Sequence, residues 1–191
     1  MPWLIIVTGL PAAGKTTLSA WLSKRLAIPF IHKDAIKEIL YDVLGWSDRE
    51  WSQKVRAASI ELMYYFAQAS LIAGRSIILD NPFNPDLASA KISALARQAN
   101  AGTIQIICHV STEVAYQRFK QRVEAGLRHP GHLDAQLMSG AKASLERYGP
   151  FRLDIDGEVI EVDTNDFSAL HYEPVLAQIQ VIMGNASPNN Q

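Results

Sequence analysis

The stretch "GLPAAGKTT", Gly9 to Thr17, decides how the rest of this sequence is interpreted. It contains the complete pattern Gly-x-x-x-x-Gly-Lys-Thr, in which glycines let the backbone curl so that several N–H groups converge on phosphate oxygens. The apolar run "WLIIV" precedes it, and the helical pattern "KTTLSAWLSKRLA" overlaps its end. A strand before the loop and a helix after it are the context in which this pattern binds a nucleotide. The sequence therefore predicts a phosphate-binding loop formed by Gly9, Ala12, Ala13, Gly14, Lys15, Thr16 and Thr17.

A magnesium site is predicted beside this loop. Lys15 is expected to reach the β- and γ-phosphates of the nucleotide, and the Thr16 hydroxyl is expected to bind Mg²⁺. The metal also needs an acidic residue, and the buried-strand pattern "SIILDN" supplies Asp80 at its end. Because Asn81 and Pro82 follow at once, Asp80 could instead serve as a turn or cap residue, and both roles are open at this point.

The rest of the chain alternates between strand and helix patterns, in the order β-α-β-α-α-β-α-β-α-α-β-α. Such alternation with apolar strands is typical of an α/β protein, here a three-layer α/β/α sandwich around a five-stranded parallel sheet. Ligands bind such sheets at the carboxyl ends of the strands, so the polar residues found there are the candidates for function. In the long helix after "SDREW", we expect Ser47 as the N-cap and Trp51, Val55, Leu62 and Phe66 among the core-facing residues.

Composition limits the partners of this protein. The chain has 191 residues, a formal net charge of −1 and 48% hydrophobic residues. Because a neutral chain lacks long-range attraction for polyanions, a nucleic-acid partner is disfavoured. The single cysteine, Cys108, cannot form an internal disulfide, and the apolar N-terminal run is too short to span a membrane. These features favour a cytoplasmic protein without membrane contact.

Arginines in the second half of the chain indicate phosphoryl transfer. The sequence has no Asn-Lys-x-Asp element for guanine, and five strands with their helices leave little room for the extra domains of a motor. A transferase must exclude water and neutralise the charge that develops on the phosphoryl group. In "YQRFKQRVEAGLRHPGH", Arg118 and Arg122 share a helix face and Arg128 follows in a loop with Pro and Gly. We predict a lid around residues 118–132, with Arg122 and Arg128 acting in catalysis together with Lys15.

The sequence also offers a residue that can act on the acceptor of the phosphate. "FIHKDAIKEIL" places Asp34 just after the second strand, on the same rim as the phosphate loop. A carboxylate there can accept the proton of an incoming hydroxyl group. Asp34 could also cap the following helix, and the two roles are compatible. The aromatic residues that follow could contact the acceptor or pack in the core; they are Tyr41, Trp46, Trp51, Tyr64 and Tyr65.

The phosphate loop, "HKDAIKEIL", "IILDNPFNP" and the arginine-bearing lid together resemble the small P-loop kinases. The chain is similar to an AAA-type group of kinases predicted from sequence, and to chloramphenicol phosphotransferase, zeta toxin and the kinase domain of polynucleotide kinase. This resemblance implies a P-loop NTPase fold of the nucleotide-kinase type with sheet order 2-3-1-4-5. It also implies that Asp34 activates the acceptor, that Arg118 packs on adenine, and that Thr164 in "VDTND" lies beside the base. Polynucleotide kinases have an arginine at the position of Lys37, so a polynucleotide acceptor is disfavoured.

We therefore predict an ATP- and Mg²⁺-dependent phosphotransferase that acts on a hydroxyl group of a small molecule. One domain is expected over residues 1–184, with residues 185–191 as a disordered tail. Two alternatives stay open. One is a kinase of polynucleotide 5′-hydroxyls or of nucleotides, and the other is an ATP-binding regulatory module with weak ATPase activity. The oligomeric state is open as well.

Overall fold

Five parallel strands form the centre of the computed structural model, which describes residues 1–147, 151–167 and 171–185. The strands are β1 (Trp3–Gly9), β2 (Phe30–His32), β3 (Ile77–Asp80), β4 (Gly102–His109) and β5 (Glu158–Asp163). Their order in the sheet is β2-β3-β1-β4-β5, and every neighbouring pair is parallel. The predicted strand order is confirmed, and it places the end of β1 in the middle of the carboxyl edge.

Helices cover both faces of this sheet. Within the described residues they are α1 (Lys15–Leu26), α2 (Lys33–Leu44), α3 (Arg49–Ile72), α4 (Pro85–Gln98), α5 (Thr112–Glu124), α6 (Asp134–Glu146) and α7 (Glu173–Asn185). One core cluster joins α1 and α7 to the sheet through Leu22 and Ile179. The other joins α3 and α4 to the opposite face through Met63 and Ile92. The predicted three-layer α/β/α sandwich is confirmed.

Strand β1 shows why its sequence is a continuous apolar run. Ile5 and Val7 belong to the core cluster on one face, whereas Leu4 and Ile6 belong to the cluster on the other. All four side chains are fully buried. A central parallel strand with helices on both faces has no solvent side, so polar residues do not alternate with apolar ones.

The residues that helix α3 buries differ in part from those we expected. The residues buried along it follow i, i+4 spacing from Val55 through Ser59 and Met63 to Leu71. Phe66, which was predicted to be in the core, is 46% exposed. Ser59 is fully buried. Its hydroxyl donates to the carbonyl of Val55 at 2.6 Å, so the polar group keeps a hydrogen-bond partner in the core. The prediction was therefore right for Val55 and wrong for Phe66, further along the helix.

Two helix starts also differ from expectation. The N-cap of α3 is Asp48, whose carboxylate accepts from the backbone N–H three residues on at 2.9 Å, so the assignment to Ser47 was wrong. The N-cap of α2 is His32, whose Nδ1 accepts from the N–H of Ala35 at 3.3 Å. Asp34 lies in the first turn of α2 and does not cap it, so its carboxylate is available for other contacts.

The last helix, α7, extends further towards the carboxyl end of the chain than expected. Asn185, which was assigned to the tail, is the final residue of α7, and residues 186–191 lie outside the described residues. No helix in the described part of the chain combines the length and the apolar character needed to cross a membrane.

Candidate active site

The phosphate-binding loop connects β1 to α1 through two glycines that no other residue could replace without strain. Gly9 has φ +139, and a Cβ atom there would lie 2.4 Å from the carbonyl oxygen of Cys108 on β4. Gly14, the N-cap of α1, has φ +78, and its Cβ would lie 2.5 Å from the ring of Phe167. Both positions combine a left-handed backbone with a close neighbour. The loop is therefore packed against β4 on one side and against an aromatic ring on the other.

Lys15, Thr16 and Asp80 meet at the start of α1. The Lys15 ammonium donates to the carbonyl of Leu10 at 2.7 Å and is almost completely buried. Burial lowers the pKa of Lys15, and the charge of Asp80 partly opposes this shift. A desolvated ammonium, which has one carbonyl as its hydrogen-bond partner among the described residues, interacts strongly with any anion that enters the loop.

The Thr16 hydroxyl donates to Oδ2 of Asp80 at 2.5 Å. Burial raises the pKa of Asp80, while the neighbouring charge of Lys15 and the bond from Thr16 oppose that rise. The N-cap of the following helix is Asn84, so Asp80 does not serve as the cap of α4. A hydroxyl and a carboxylate oxygen side by side are the hard donors that Mg²⁺ binds, so these two residues fit the predicted metal.

Asp34 is held between two cations at the start of α2. Its Oδ1 lies 2.5 Å from Nζ of Lys33, and its Oδ2 accepts from the guanidinium of Arg128 at 2.9 Å. Burial alone would raise the pKa of Asp34, but the charges of Lys33 and Arg128 outweigh it and hold the pKa well below its usual range. The carboxylate is therefore ionised at every physiological pH, and it faces the same cavity as the phosphate loop.

Arg118 lies at the other end of the cavity, beside the loop after β5. Its guanidinium stacks over the ring of Phe167 at 3.6 Å and donates to the carbonyls of Thr164 at 2.8 Å and Asn165 at 2.9 Å. The Phe167 ring in turn lies against Gly14 of the phosphate loop. Planar cationic and aromatic groups next to a phosphate loop form a surface that can pack on a nucleotide base.

Arg122 lies one turn further along α5, between these two ends. Its Nε is buried and has no hydrogen-bond partner within the described residues. Burial lowers the pKa of Arg122, and the positive charge of Arg128 adds to this shift. A buried donor without a partner is costly, and a phosphate oxygen would satisfy it with a charge-assisted bond.

These groups line one cavity of about 720 Å³. Of the residues predicted from sequence, it contains Ala12, Gly14, Lys15, Thr16, Thr17, Asp34, Asp80, Arg118, Arg122 and Arg128. Residues at the ends of β1, β2 and β3 thus come together with arginines of α5 and the segment after it at the carboxyl edge of the sheet, as expected for this architecture.

Three predicted nucleotide-binding residues do not line this cavity. Gly9 lies behind the loop, and Ala13 is fully buried. The hydroxyl of Thr164 donates to the carbonyl of His109 at 2.8 Å, and its side chain points into the protein. Thr164 contributes instead through its own carbonyl, which holds Arg118.

The five aromatic candidates for the acceptor are also absent from the lining of this cavity. Tyr41 and Tyr64 are buried, and Tyr65 is 64% exposed. Trp51 donates from its indole nitrogen to the carbonyl of Gly45 at 3.0 Å. Trp46 lines a separate cavity of about 220 Å³.

Other residues of the cavity were not predicted from sequence. Phe167, Lys33, His32 and Pro82 all line it. Lys33 could have been inferred, because it directly precedes Asp34 in "HKD". Phe167 gave no comparable signal, since an isolated aromatic residue after a strand is usually interpreted as packing.

Comparison with known proteins identifies the class. Among solved structures, a presumed kinase from Chloroflexus aurantiacus j-10-fl is 37% identical with a TM-score of 0.84, over 95% of this chain and 98% of that one. The fold is that of a P-loop kinase. A family model described as an AAA domain matches residues 4–148, and the chain belongs to this AAA domain family. None of the curated proteins matches the sequence.

More distant structures share the fold. Kti12 of Chaetomium thermophilum, in complex with ADP-AlF3, is 22% identical with a TM-score of 0.66, over 94% of this chain and 98% of that one. The APS kinase CysC of Mycobacterium tuberculosis, in complex with AMPPNP and APS, is 13% identical with a TM-score of 0.60, over 96% of this chain and 98% of that one. At these identities the likeness concerns the fold alone.

Proposed function

We propose that this P-loop kinase transfers the γ-phosphoryl group of ATP to a hydroxyl group of a small molecule, in the cytoplasm and with Mg²⁺. The observation that carries the proposal is the position of Asp34, an ionised carboxylate in the same cavity as Lys15 and the Thr16–Asp80 pair. A carboxylate in this position can orient the hydroxyl of an acceptor for attack on the γ-phosphorus. The net charge of the chain, −1, supports a small acceptor over a polynucleotide.

In this proposal the residues of the loop and lid bind the nucleotide. Backbone N–H groups of the loop and the Lys15 ammonium bind the phosphates, and Arg118 with Phe167 packs on the base. Mg²⁺ held by Thr16 and Asp80 would neutralise charge on the β- and γ-phosphate oxygens. Arg122 completes the site, because its unsatisfied Nε can donate to the oxygens of the phosphoryl group as charge moves onto them.

Asp34 acts on the acceptor. The acceptor oxygen forms a bond to the γ-phosphorus while the bond from that phosphorus to the β-phosphate oxygen breaks and ADP leaves. The hydroxyl proton passes to the Asp34 carboxylate. A carboxylate with a low pKa is a weak base, so its main contribution is to orient the hydroxyl and to take the proton late, as the new bond forms.

The test is transfer of labelled γ-phosphate from Mg²⁺-ATP to a panel of sugars, sugar acids, antibiotics, nucleosides, nucleotides and 5′-hydroxyl oligonucleotides. Asp34→Asn is compared with Asp86→Asn, a matched change at an exposed position in the first turn of α4. We expect a labelled small-molecule product whose rate falls by about 10²- to 10⁴-fold in Asp34→Asn only. Slow ADP release without a labelled acceptor, equal in all three proteins, would contradict the proposal and favour an ATP-binding module.

A further inference from the structure

The guanidinium of Arg128 is held by three acceptors at once. One terminal nitrogen donates to Oδ2 of Asp134, and the other donates to Oδ2 of Asp34 and to Nδ1 of His132, each at 2.9 Å. A terminal nitrogen of arginine carries two hydrogens, so the second nitrogen has both of them engaged. The direction from which Arg128 approaches Asp34 therefore depends on His132.

The chemistry of this network determines which nitrogen of His132 carries the proton. Arginine only donates, so Nδ1 of His132 must accept, and the proton lies on Nε2. Nε2 then donates to Oε1 of Glu38 on α2 at 2.8 Å. Burial together with the charge of Arg128 lowers the pKa of His132 to about 3, in keeping with a neutral ring. His132 thus connects Arg128 to Glu38 as a neutral ring with one defined tautomer.

The turn that carries His132 is itself fixed against α2. Tyr41 is buried, stacks on His129 with ring centres 5.2 Å apart, and meets His132 edge-on at 5.8 Å. A Cβ atom at Gly131 would lie 2.6 Å from the Tyr41 ring, so the turn can approach this closely only with glycine. The hydroxyl of Tyr41 is in turn hydrogen-bonded to Ser52 on α3 at 2.7 Å. The turn that carries His132 is therefore held in place by its packing against Tyr41.

The two oxygens of Asp34 are not equivalent. Oδ1 is buried against Nζ of Lys33, whereas the side chain as a whole is 35% exposed, which leaves Oδ2 as the oxygen that an acceptor hydroxyl can reach. Arg128 occupies one side of Oδ2. The position of Arg128 thus determines which side of Oδ2 is open to the hydroxyl.

We propose that His132 is a positioning residue, which orients Arg128 so that Asp34 presents its free Oδ2 lone pair to the acceptor hydroxyl. The inference rests on the proposed function for the role of Asp34, but the His132–Arg128 contact can be tested without any acceptor. His132 belongs to the machinery of the site only through Arg128, and it touches neither the nucleotide loop nor the reacting groups.

Two substitutions separate the two nitrogens of the ring. In His132→Asn the amide oxygen takes approximately the place of Nδ1 and can still accept from Arg128. In His132→Gln the amide lies near the place of Nε2, which keeps the contact with Glu38 and loses the one with Arg128. Glu38 is 37% exposed, so water can solvate it in the Asn variant. His109→Gln, at an exposed side chain on β4, is the matched control.

The first experiment measures the side-chain ¹H–¹⁵N signals of Arg128 at neutral pH and low temperature, with thermal unfolding recorded for each variant. In the wild type and in His132→Asn we expect separate signals for the terminal nitrogens, because three bonds restrict their rotation. In His132→Gln the bonds to Asp34 and Asp134 remain, and we expect the signals of the nitrogen that has lost one bond to shift and broaden. Separate signals that persist unchanged in the Gln variant would overturn the inference, whatever the protein phosphorylates.

The second experiment uses the acceptor found in the labelled-phosphate panel. We expect kcat to fall about 10- to 100-fold in His132→Gln, with the KM for ATP unchanged and activity largely restored in His132→Asn. A purely structural role would lower the unfolding temperature of both variants and leave kcat per folded molecule unchanged. If Asp34→Asn abolishes transfer while His132→Gln has no effect, the proposed function stands and the positioning role is refuted.

Discussion

Replacing Asp34 with Asn should destabilise this protein at neutral pH and not in acid. The wild-type carboxylate accepts from Arg128 and forms an ion pair with Lys33, and the Asn amide oxygen can replace the geometry but not the charge. A hydrogen bond between two charged groups contributes about 1 kcal/mol more than one with a neutral partner. Because the Asp34 side chain is 35% exposed, solvent screening reduces the combined loss to about 1–2 kcal/mol.

The pH dependence follows from the direction of the pKa shift. The folded-state pKa of Asp34 is lower than its unfolded value, so the carboxylate contributes stability that is fully present above the unfolded pKa. That contribution is lost as pH falls below about 3.9 towards the folded pKa, by at most about 1.4 kcal/mol per pH unit. The difference between wild type and Asp34→Asn should therefore be constant from pH 5 to 7 and shrink steeply by pH 3.

The assay is urea or thermal unfolding of both proteins at pH 7, 5 and 3 without nucleotide. For a chain of this size, 1–2 kcal/mol corresponds to a fall in Tm of about 2–8 °C at pH 7. Asp86→Asn, at an exposed carboxylate, controls for the loss of one charge. Equal or greater stability of Asp34→Asn at pH 7 would mean that desolvation outweighs the two ion pairs. A difference that is unchanged at pH 3 would mean that another group carries it.

Three further outcomes are expected. Thr16→Val removes the hydroxyl that donates to Asp80. The Mg²⁺ concentration for half-maximal activity should therefore rise at least about 10-fold. An unchanged Mg²⁺ titration would exclude Thr16 from the metal site. Phe167→Ala removes the ring on which the Arg118 guanidinium stacks. The KM for ATP should rise about 2- to 5-fold with little change in kcat. A lower KM would show that the ring obstructs binding of the base. Cys108 is 2% exposed, and burial raises its pKa to about 12. Ellman's reagent should therefore label it only after unfolding. Fast labelling of the folded protein would contradict the burial of Cys108 in the core cluster around β1 and β4.

Much of the fold was predictable because its determinants are local. The apolar run of β1, the glycine spacing of the phosphate loop and the helix after it are contiguous in the chain, and each pattern specifies its own element. The place of Asp80 at the carboxyl edge of the sheet was predictable for the same reason, since it ends a strand whose direction the parallel architecture defines. The strand order was implied by the resemblance to small P-loop kinases, and no local pattern contains it.

The errors arose where burial depends on neighbours that are distant in sequence. The face that α3 buries is decided by its packing against the sheet and against α4, which buries Ser59 and exposes Phe66. The hydrophobicity of the two side chains would have ranked them the other way. His32 likewise caps α2 with an imidazole nitrogen, a choice that the general preference for Ser, Thr, Asp and Asn does not predict.

By itself, the sequence determined a parallel α/β fold, a nucleotide-phosphate loop and the chemical types of the residues at its rim. Only the tertiary structure decided how those residues are paired. Arg128 reaches Asp34 across 94 residues, and Arg118 finds the carbonyl of Thr164 across 46. The physical reason is that an arginine can donate to any carboxylate or carbonyl, so its partner is set by which groups the packed helices and strands bring within 3 Å.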